Sequence, residues 1–586
     1  MNGLWQSRPM ELNLSRSCMD CNTKGVMKPS DLGVGPSRRW LSLAMVWVAH
    51  IPTRLSFPFE KHPVTQRGPF GILWSDMMPT PTTMNGLLLS ADPTARAIGA
   101  PGRAWLDFAG LCGLSARIIR QLREFGIAAS DRVAIVLPNG PEMATAFVTI
   151  VQAAATAPLN PAYRLEEYAF YLGDLRAKAL VVPEDYTGPA LAAAKLWNMV
   201  ILRLHFNLQD PAGTFWLTGP EGIAPAPADL PDAKATALIL HTSGTTSRPK
   251  IVPLRQHNLA ASAQHIAKSI MLTPADCCLN VMPLFHIHGL VAAVAASLSA
   301  GGSVWCAPVF NAHKFFGWMQ EARPSWYTAV PTMHQTILMR AARNRDVIDA
   351  HPLRFLRSSS ASMPTQVFAE LQSTFGVPVI EAYGMTEAAH QITSNPLPPR
   401  LQKPGSVGLA AGPLVRIAHE TDNRLVDGIG EVVIAGPNVT AGYEGDPEAN
   451  SKSYFEIDGL RWFRTGDQGS MDDEGYLRLT GRLKEIINRG GEKVSPLEVD
   501  GVLLDHPAVQ QAVTFAIPHP KLGEKIAAAV VLREGHDATE AEIRVFAANR
   551  MVSFKVPCRI LIVDDIPKGA TGKLQRIGLA QKLGLV

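Results

Sequence analysis

The most constraining stretch of this chain lies at 237–250, where an apolar run, 237–240, opens into His-Thr-Ser-Gly-Thr-Thr-Ser-Arg-Pro-Lys. Four apolar residues ahead of a cluster of small polar ones predict a buried strand that stops at a loop. The loop offers hydroxyls at Thr242, Ser243, Thr245 and Thr246, a close-approach backbone at Gly244 and a mobile cation at Lys250. Hydroxyls and exposed N–H groups on a tight loop are what a polyphosphate needs. The stretch is not a Walker A loop, which requires a second glycine directly before Lys-Ser/Thr; here Pro249 precedes the lysine and Ile251 follows it. Taken alone, a Ser/Thr-rich surface loop would have the same composition.

Four further blocks follow in order: Glu381-Ala-Tyr-Gly-Met-Thr-Glu387, Phe463-Arg-Thr-Gly-Asp467, Gly481-Arg-Leu-Lys-Glu485 and Pro567-Lys-Gly-Ala-Thr-Gly-Lys573. In this order and spacing the five blocks resemble the adenylate-forming enzymes: acyl-CoA synthetases, luciferases and peptide-synthetase adenylation domains. The resemblance runs from about residue 86 to 585. It implies ATP and coenzyme A as co-substrates, magnesium as the metal, and an acyl-adenylate as the intermediate.

Alternating strand-like and helical segments point to an α/β fold with parallel sheets. A helix is expected over 108–125, a strand over 132–137, a helix over 142–155 and strands over 179–182 and 476–479. Gly-rich turns between β-branched runs over 405–441 predict a small barrel-like β region. The expected organisation is an unassigned head at 1–78, a large domain of two parallel-sheet subdomains plus the β region at 79–483, and a mobile α+β lid at 484–586.

Charge separates the head from the rest. Residues 1–78 carry nine Lys/Arg against five Asp/Glu, which accounts for the whole formal charge of +4. The body is therefore balanced and gives no basis for nucleic-acid binding. Three readings of the head stay open: upstream sequence translated from a wrong start, a genuine unstructured extension, or a targeting segment built on Ser37-Arg-Arg39. The apolar run after that arginine pair is too short for a membrane span. Seven cysteines without a framework, including a lone Cys18-x-x-Cys21, fit reduced thiols and a cytoplasmic protein. Oligomeric state is not legible.

The resemblance assigns Thr242, Ser243, Gly244, Thr245, Thr246 and Lys250 to the β- and γ-phosphates. It gives Tyr383 to adenine, Thr386 to the α-phosphate and Glu387 to magnesium, a hard oxygen ligand for a hard cation. Asp467 and Arg482 go to the ribose. Lys484 becomes the hinge, and Lys573 the lid lysine that reaches the acyl carboxylate and α-phosphate. In Pro283-Leu-Phe-His-Ile-His-Gly289, His286 is placed where acyl and pantetheine channels meet; a zinc role lacks a third ligand at metal spacing.

Specificity is expected in polar groups where fatty-acid relatives are apolar: Ser360, within Arg357-Ser-Ser-Ser-Ala-Ser362, and His390, together with His286. The motif set most resembles the oxalate–CoA ligase branch, so the expected reaction is ATP-dependent ligation of oxalate or another small polar acid to coenzyme A. The rivals are a short- or medium-chain fatty acid or aryl acid ligase and a non-catalytic nucleotide-binding relative.

Overall fold

The structure, a computed structural model, describes residues 80–242, 249–568 and 574–586. The head, the loop residues Ser243, Gly244, Thr245 and Thr246, the Cys18/Cys21 pair and Lys573 lie outside the described residues.

Strand–helix alternation produces two parallel-centred sheets. The first has seven strands in the order Trp216–Thr218, Val200–His205, Ala179–Pro183, Arg132–Ile135, Ala155–Pro158, Thr236–Thr242 and Lys250–Arg255, antiparallel only at its two edges. Its inner strands are buried on both faces, as Val133, Ala134, Ile135, Leu180 and Val181 show. That is why they read as continuous apolar runs and not as alternating ones. The amphipathic helix Phe108–Glu124 packs against it, capped by the Asp107 side chain, which accepts from the Gly110 N–H at 2.7 Å.

The second sheet runs Leu409–Ala410, His390–Ser394, Val379–Met385, Phe355–Ser358, Trp326–Ala329, Cys277–Asn280, Ser303–Cys306, Arg96–Gly99 and Leu106–Asp107. It is parallel from Val379–Met385 to Arg96–Gly99 and reverses direction at His390–Ser394. A five-stranded antiparallel sheet follows, from Leu414–Ala418 to Leu477–Arg482, so the small β region extends well beyond 441. The C-terminal sheet joins Glu492–Val494, Ile487–Arg489, Gly523–Leu532, Val509–His519 and Arg559–Ile562. With the helices Pro496–Leu504 and Glu540–Ala548 it has a core of its own around Ile487, Val499, Leu503, Val530 and Ile543.

Two expectations shift. The helix predicted over 142–155 is Pro141–Ile150, because Ala155 is drawn into a strand beside Arg132. Sheet pairing outweighs the helical propensity of the intervening alanines. The strand predicted over 476–479 is Leu477–Arg482, so Gly481 and Arg482 sit in the ladder opposite Gln468 and Asp467 and not in a charged turn.

Inside the second sheet, His334 of the helix Pro331–Ala341 is fully buried, its Nδ1 2.9 Å from the Tyr327 hydroxyl. Burial pushes its imidazole down to about 3 from an ordinary 6.5. Between those values the unfolded chain binds a proton that the folded chain refuses, so stability falls as pH drops through the window. Replacing His334 with Gln should therefore shrink the loss of unfolding free energy between pH 7 and pH 5 by up to about 2 kcal/mol. Urea titrations of both proteins at the two pH values measure this; equal losses would exclude His334 as the source.

Candidate active site

The nucleotide side of the site grows from three chain reversals. Thr242 pairs with Lys250 at the root of the hairpin that carries the hydroxyl-rich loop. This brings the first hydroxyl and the cation side by side, as polyphosphate binding requires. The Lys250 ammonium lies over the Tyr443 ring, 4.3 Å from its centroid. Tyr443 in turn donates its hydroxyl to Glu387 Oε1 at 2.9 Å. The phosphate lysine and the expected magnesium carboxylate are thus joined through one tyrosine, 56 residues beyond Glu387. Burial raises the Glu387 carboxyl above its usual range, while the Tyr443 hydrogen bond opposes the shift.

The second reversal follows the strand Val379–Met385. A single turn, Thr386–Ala388, leads into His390–Ser394, and Met385 pairs back onto His390. Gly384 is required here, since a Cβ would land on the His390 carbonyl. Thr386 is half-buried at the head of the turn and Glu387 is buried within it.

The third reversal brings Asp467 opposite Arg482. Tyr383 donates its hydroxyl to Asp467 Oδ2 at 2.5 Å, and Arg482 Nε sits 3.2 Å from Oδ1. Burial, with the Asp467 charge second, pushes the Tyr383 hydroxyl far up, and Asp467 raises the Arg482 guanidinium. Tyr383 was expected to present a ring face to adenine; its hydroxyl also fixes the expected ribose carboxylate, a role the motif did not reveal. Lys484 is exposed, in the four-residue link 483–486 between the small sheet and the C-terminal one.

Behind the Tyr-Gly-Met strand lies a buried polar cluster. The hydroxyl of Ser359 donates to the Ala382 carbonyl at 2.8 Å, tying the turn after Phe355–Ser358 to this strand. Ser360 has φ 75° and His390 φ 93°, conformations that cost a side-chain-bearing residue energy and concentrate at functional sites. Ser360 Oγ is 3.0 Å from His288 Nδ1, and His288 Nε2 is 2.7 Å from Thr328 Oγ1. The His288 and His390 rings lie 5.1 Å apart. Arg357, fully buried, donates to Gln391 Oε1 at 3.2 Å and to Thr328 Oγ1 at 3.5 Å. Burial lowers its guanidinium to about 10, still charged at neutral pH. Of the expected acid-binding residues, Ser360 and His390 each lie beside His288, whereas His286 packs tilted on Phe285 and is half-buried. The second histidine of Phe-His-Ile-His meets Ser360, and sequence reasoning missed it. His288 opens an eight-residue π-helical segment, His288–Ala295, and no sequence signal marked its contact with Ser360.

Two buried carboxylates, Asp467 and Glu387, and a buried cluster of imidazole, hydroxyl and guanidinium groups thus meet around the end of one strand. The chain belongs to the AMP-binding enzyme family, matching it over residues 90–444, with the family's C-terminal domain matching 498–573. It is 44% identical over 513 residues to an oxalate–CoA ligase of Arabidopsis thaliana, covering 85% of this chain and 98% of that one. It is 40% identical to an oxalate–CoA ligase of Saccharomyces cerevisiae, covering 77% and 86% respectively. Its fold is similar to that of ATP-bound MatB from Rhodopseudomonas palustris, with a TM-score of 0.76, 29% identity, and 86% and 98% of the two chains covered. The chain is an AMP-forming acid–CoA ligase. No helix of the described residues is long and apolar enough to cross a membrane.

Asp467→Asn keeps the size of the side chain and removes its charge. ATP affinity, measured by calorimetric titration, should fall about ten- to hundredfold, the effect of losing a charge-assisted hydrogen bond. An unchanged affinity would remove Asp467 from the ribose site.

Proposed function

We propose that the acid is oxalate, activated with ATP and magnesium to an oxalyl-adenylate and then transferred to coenzyme A. The observation that carries this reading is the charge of the buried polar cluster. Its members are imidazoles, hydroxyls and the Arg357 guanidinium, and no carboxylate among the described residues pairs with that arginine. An oxalate that presents one carboxylate to the α-phosphate keeps the other away from water, where it needs donors and opposite charge. The named activities of the two plant and yeast relatives support the same acid.

In adenylation a carboxylate oxygen of the acid attacks the α-phosphorus and pyrophosphate leaves. Lys250 and the hydroxyl loop would take the charge of the leaving group, and Thr386 the α-phosphate. Glu387 would hold magnesium, which when bound offsets charge on the phosphate oxygens. One buried carboxylate with no three-residue ligand cluster among the described residues fits a cation held largely by phosphate and water. Residues 484–586 would act as the lid, turning about Lys484 and delivering Lys573 to the acyl carboxylate. The thiol of coenzyme A, entering beside His286, then attacks the activated carbonyl and AMP departs.

Pyrophosphate exchange over oxalate, malonate, acetate and hexanoate tests the acid. Oxalate should exceed acetate and hexanoate by more than about tenfold. His390→Gly, which suits a backbone φ of 93°, should raise the KM for oxalate about ten- to hundredfold and leave that for ATP nearly unchanged. Preference for hexanoate in the wild-type protein would overturn the reading. For the lid lysine, Lys573→Ala should suppress adenylation by at least about a hundredfold while sparing thioester formation from a pre-made acyl-adenylate. Equal losses in both half-reactions would contradict a role confined to the first.

A further inference from the structure

The cluster behind the adenylate strand has a direction that can be read from its donors. Arg357 has only donors to offer. Its Nη1 faces Thr328 Oγ1, which therefore accepts. Thr328 is fully buried, and its hydroxyl has one other partner among the described residues, His288 Nε2 at 2.7 Å. If that nitrogen carried the proton, the threonine hydrogen would be buried with nothing to accept it, at a cost no native core tolerates lightly. The hydroxyl therefore donates to Nε2. A neutral imidazole with Nε2 accepting carries its proton on Nδ1, and Nδ1 lies 3.0 Å from Ser360 Oγ. Ser360 receives that proton's hydrogen bond, so its own hydroxyl hydrogen is released to point elsewhere.

We propose that Arg357, Thr328 and His288 form a one-way hydrogen-bond relay whose end is a donating Ser360 hydroxyl, and that this selects acids with an acceptor-only far group, such as a second carboxylate. Two structural details hold the relay in place. His288 opens the π-helical segment His288–Ala295, and Gly289 follows it because a Cβ there would strike the Pro283 carbonyl. Ser360 keeps its φ of 75° although it is not glycine. Arg357 and Thr328 are positioning residues: they act on the acid through His288 and Ser360. The substrate half of this inference rests on the oxalate reading above, whereas the proton position on His288 does not.

Two measurements test it on the full chain. In histidine-labelled wild-type protein at neutral pH, heteronuclear NMR of the ring nitrogens, assigned by loss of a signal in His288→Gln, should show His288 protonated at Nδ1. Protonation at Nε2 overturns the relay, whatever acid the enzyme prefers. Thr328→Val keeps the shape and removes the hydroxyl; the KM for oxalate should rise about tenfold, with the KM for ATP and the turnover on acetate within about twofold of wild type. Thr328→Ser should restore oxalate binding. Equal losses on oxalate and acetate, or failure of serine to rescue, would overturn the selective role. Should the acid panel favour a monocarboxylate while His288 still carries its proton on Nδ1, the oxalate reading fails and the relay's direction stands.

Discussion

The approach of Gly384 to the carbonyl of His390 is the constraint on which the site depends. Main chain can come that close to main chain only where a Cβ is missing. The contact lets the parallel sheet reverse within one turn, with Met385 paired onto His390. Tyr383, Thr386 and Glu387, proposed for the nucleotide, and His390, proposed for the acid, are therefore fixed within eight positions of sequence. Reacting groups at the end of a packed sheet need little reorganisation before an in-line attack, and positional economy of that kind supplies much of the barrier reduction in phosphoryl and nucleotidyl transfer.

Other elements extend this reversal. The small antiparallel sheet contributes Asp467, which Tyr383 and Arg482 hold from two sides. Tyr443 stacks under Lys250 and bonds Glu387, so that lysine and that carboxylate share one support. Behind them, Arg357 keeps a buried positive charge whose side-chain partners are both neutral. Interiors rarely hold such a charge without a counter-charge. In the proposed reading, an anionic substrate would supply one on binding.

Legibility of this arrangement in the sequence was uneven for physical reasons. The Tyr-Gly-Met-Thr-Glu run and the Thr-Gly-Asp triplet were legible as motifs through their resemblance to a family, and the structure places the first on a strand and the turn after it and the second within a strand. Apolar runs gave the parallel strands, but the helix ending at Ile150 shows where sheet pairing overrode local propensity. The link from Tyr443 to Glu387 was invisible, since neither residue carries a local sign of the other. His286 was singled out and His288 was not, because the contact of His288 with Ser360, 72 residues away, leaves no local sign in the sequence. Arg357 was noted only as polar; its burial and neutral partners emerge from the packing of three strands.

Four residues, 483–486, span the gap between the strand ending at Arg482 and the strand beginning at Ile487. A peptide that short reaches about 15 Å when fully stretched. It acts as a tether: the C-terminal sheet faces its partner surface at an effective concentration in the millimolar range or above. Contacts across that surface, such as the Gln366 amide to Asp505 at 2.9 Å, can then be few and polar without the two parts drifting apart. Weak contacts also dissolve readily. A short leash thus substitutes for adhesive strength, and any exchange of one docking geometry for another, as the proposed lid would require, would be limited by rotation, with no search through solution.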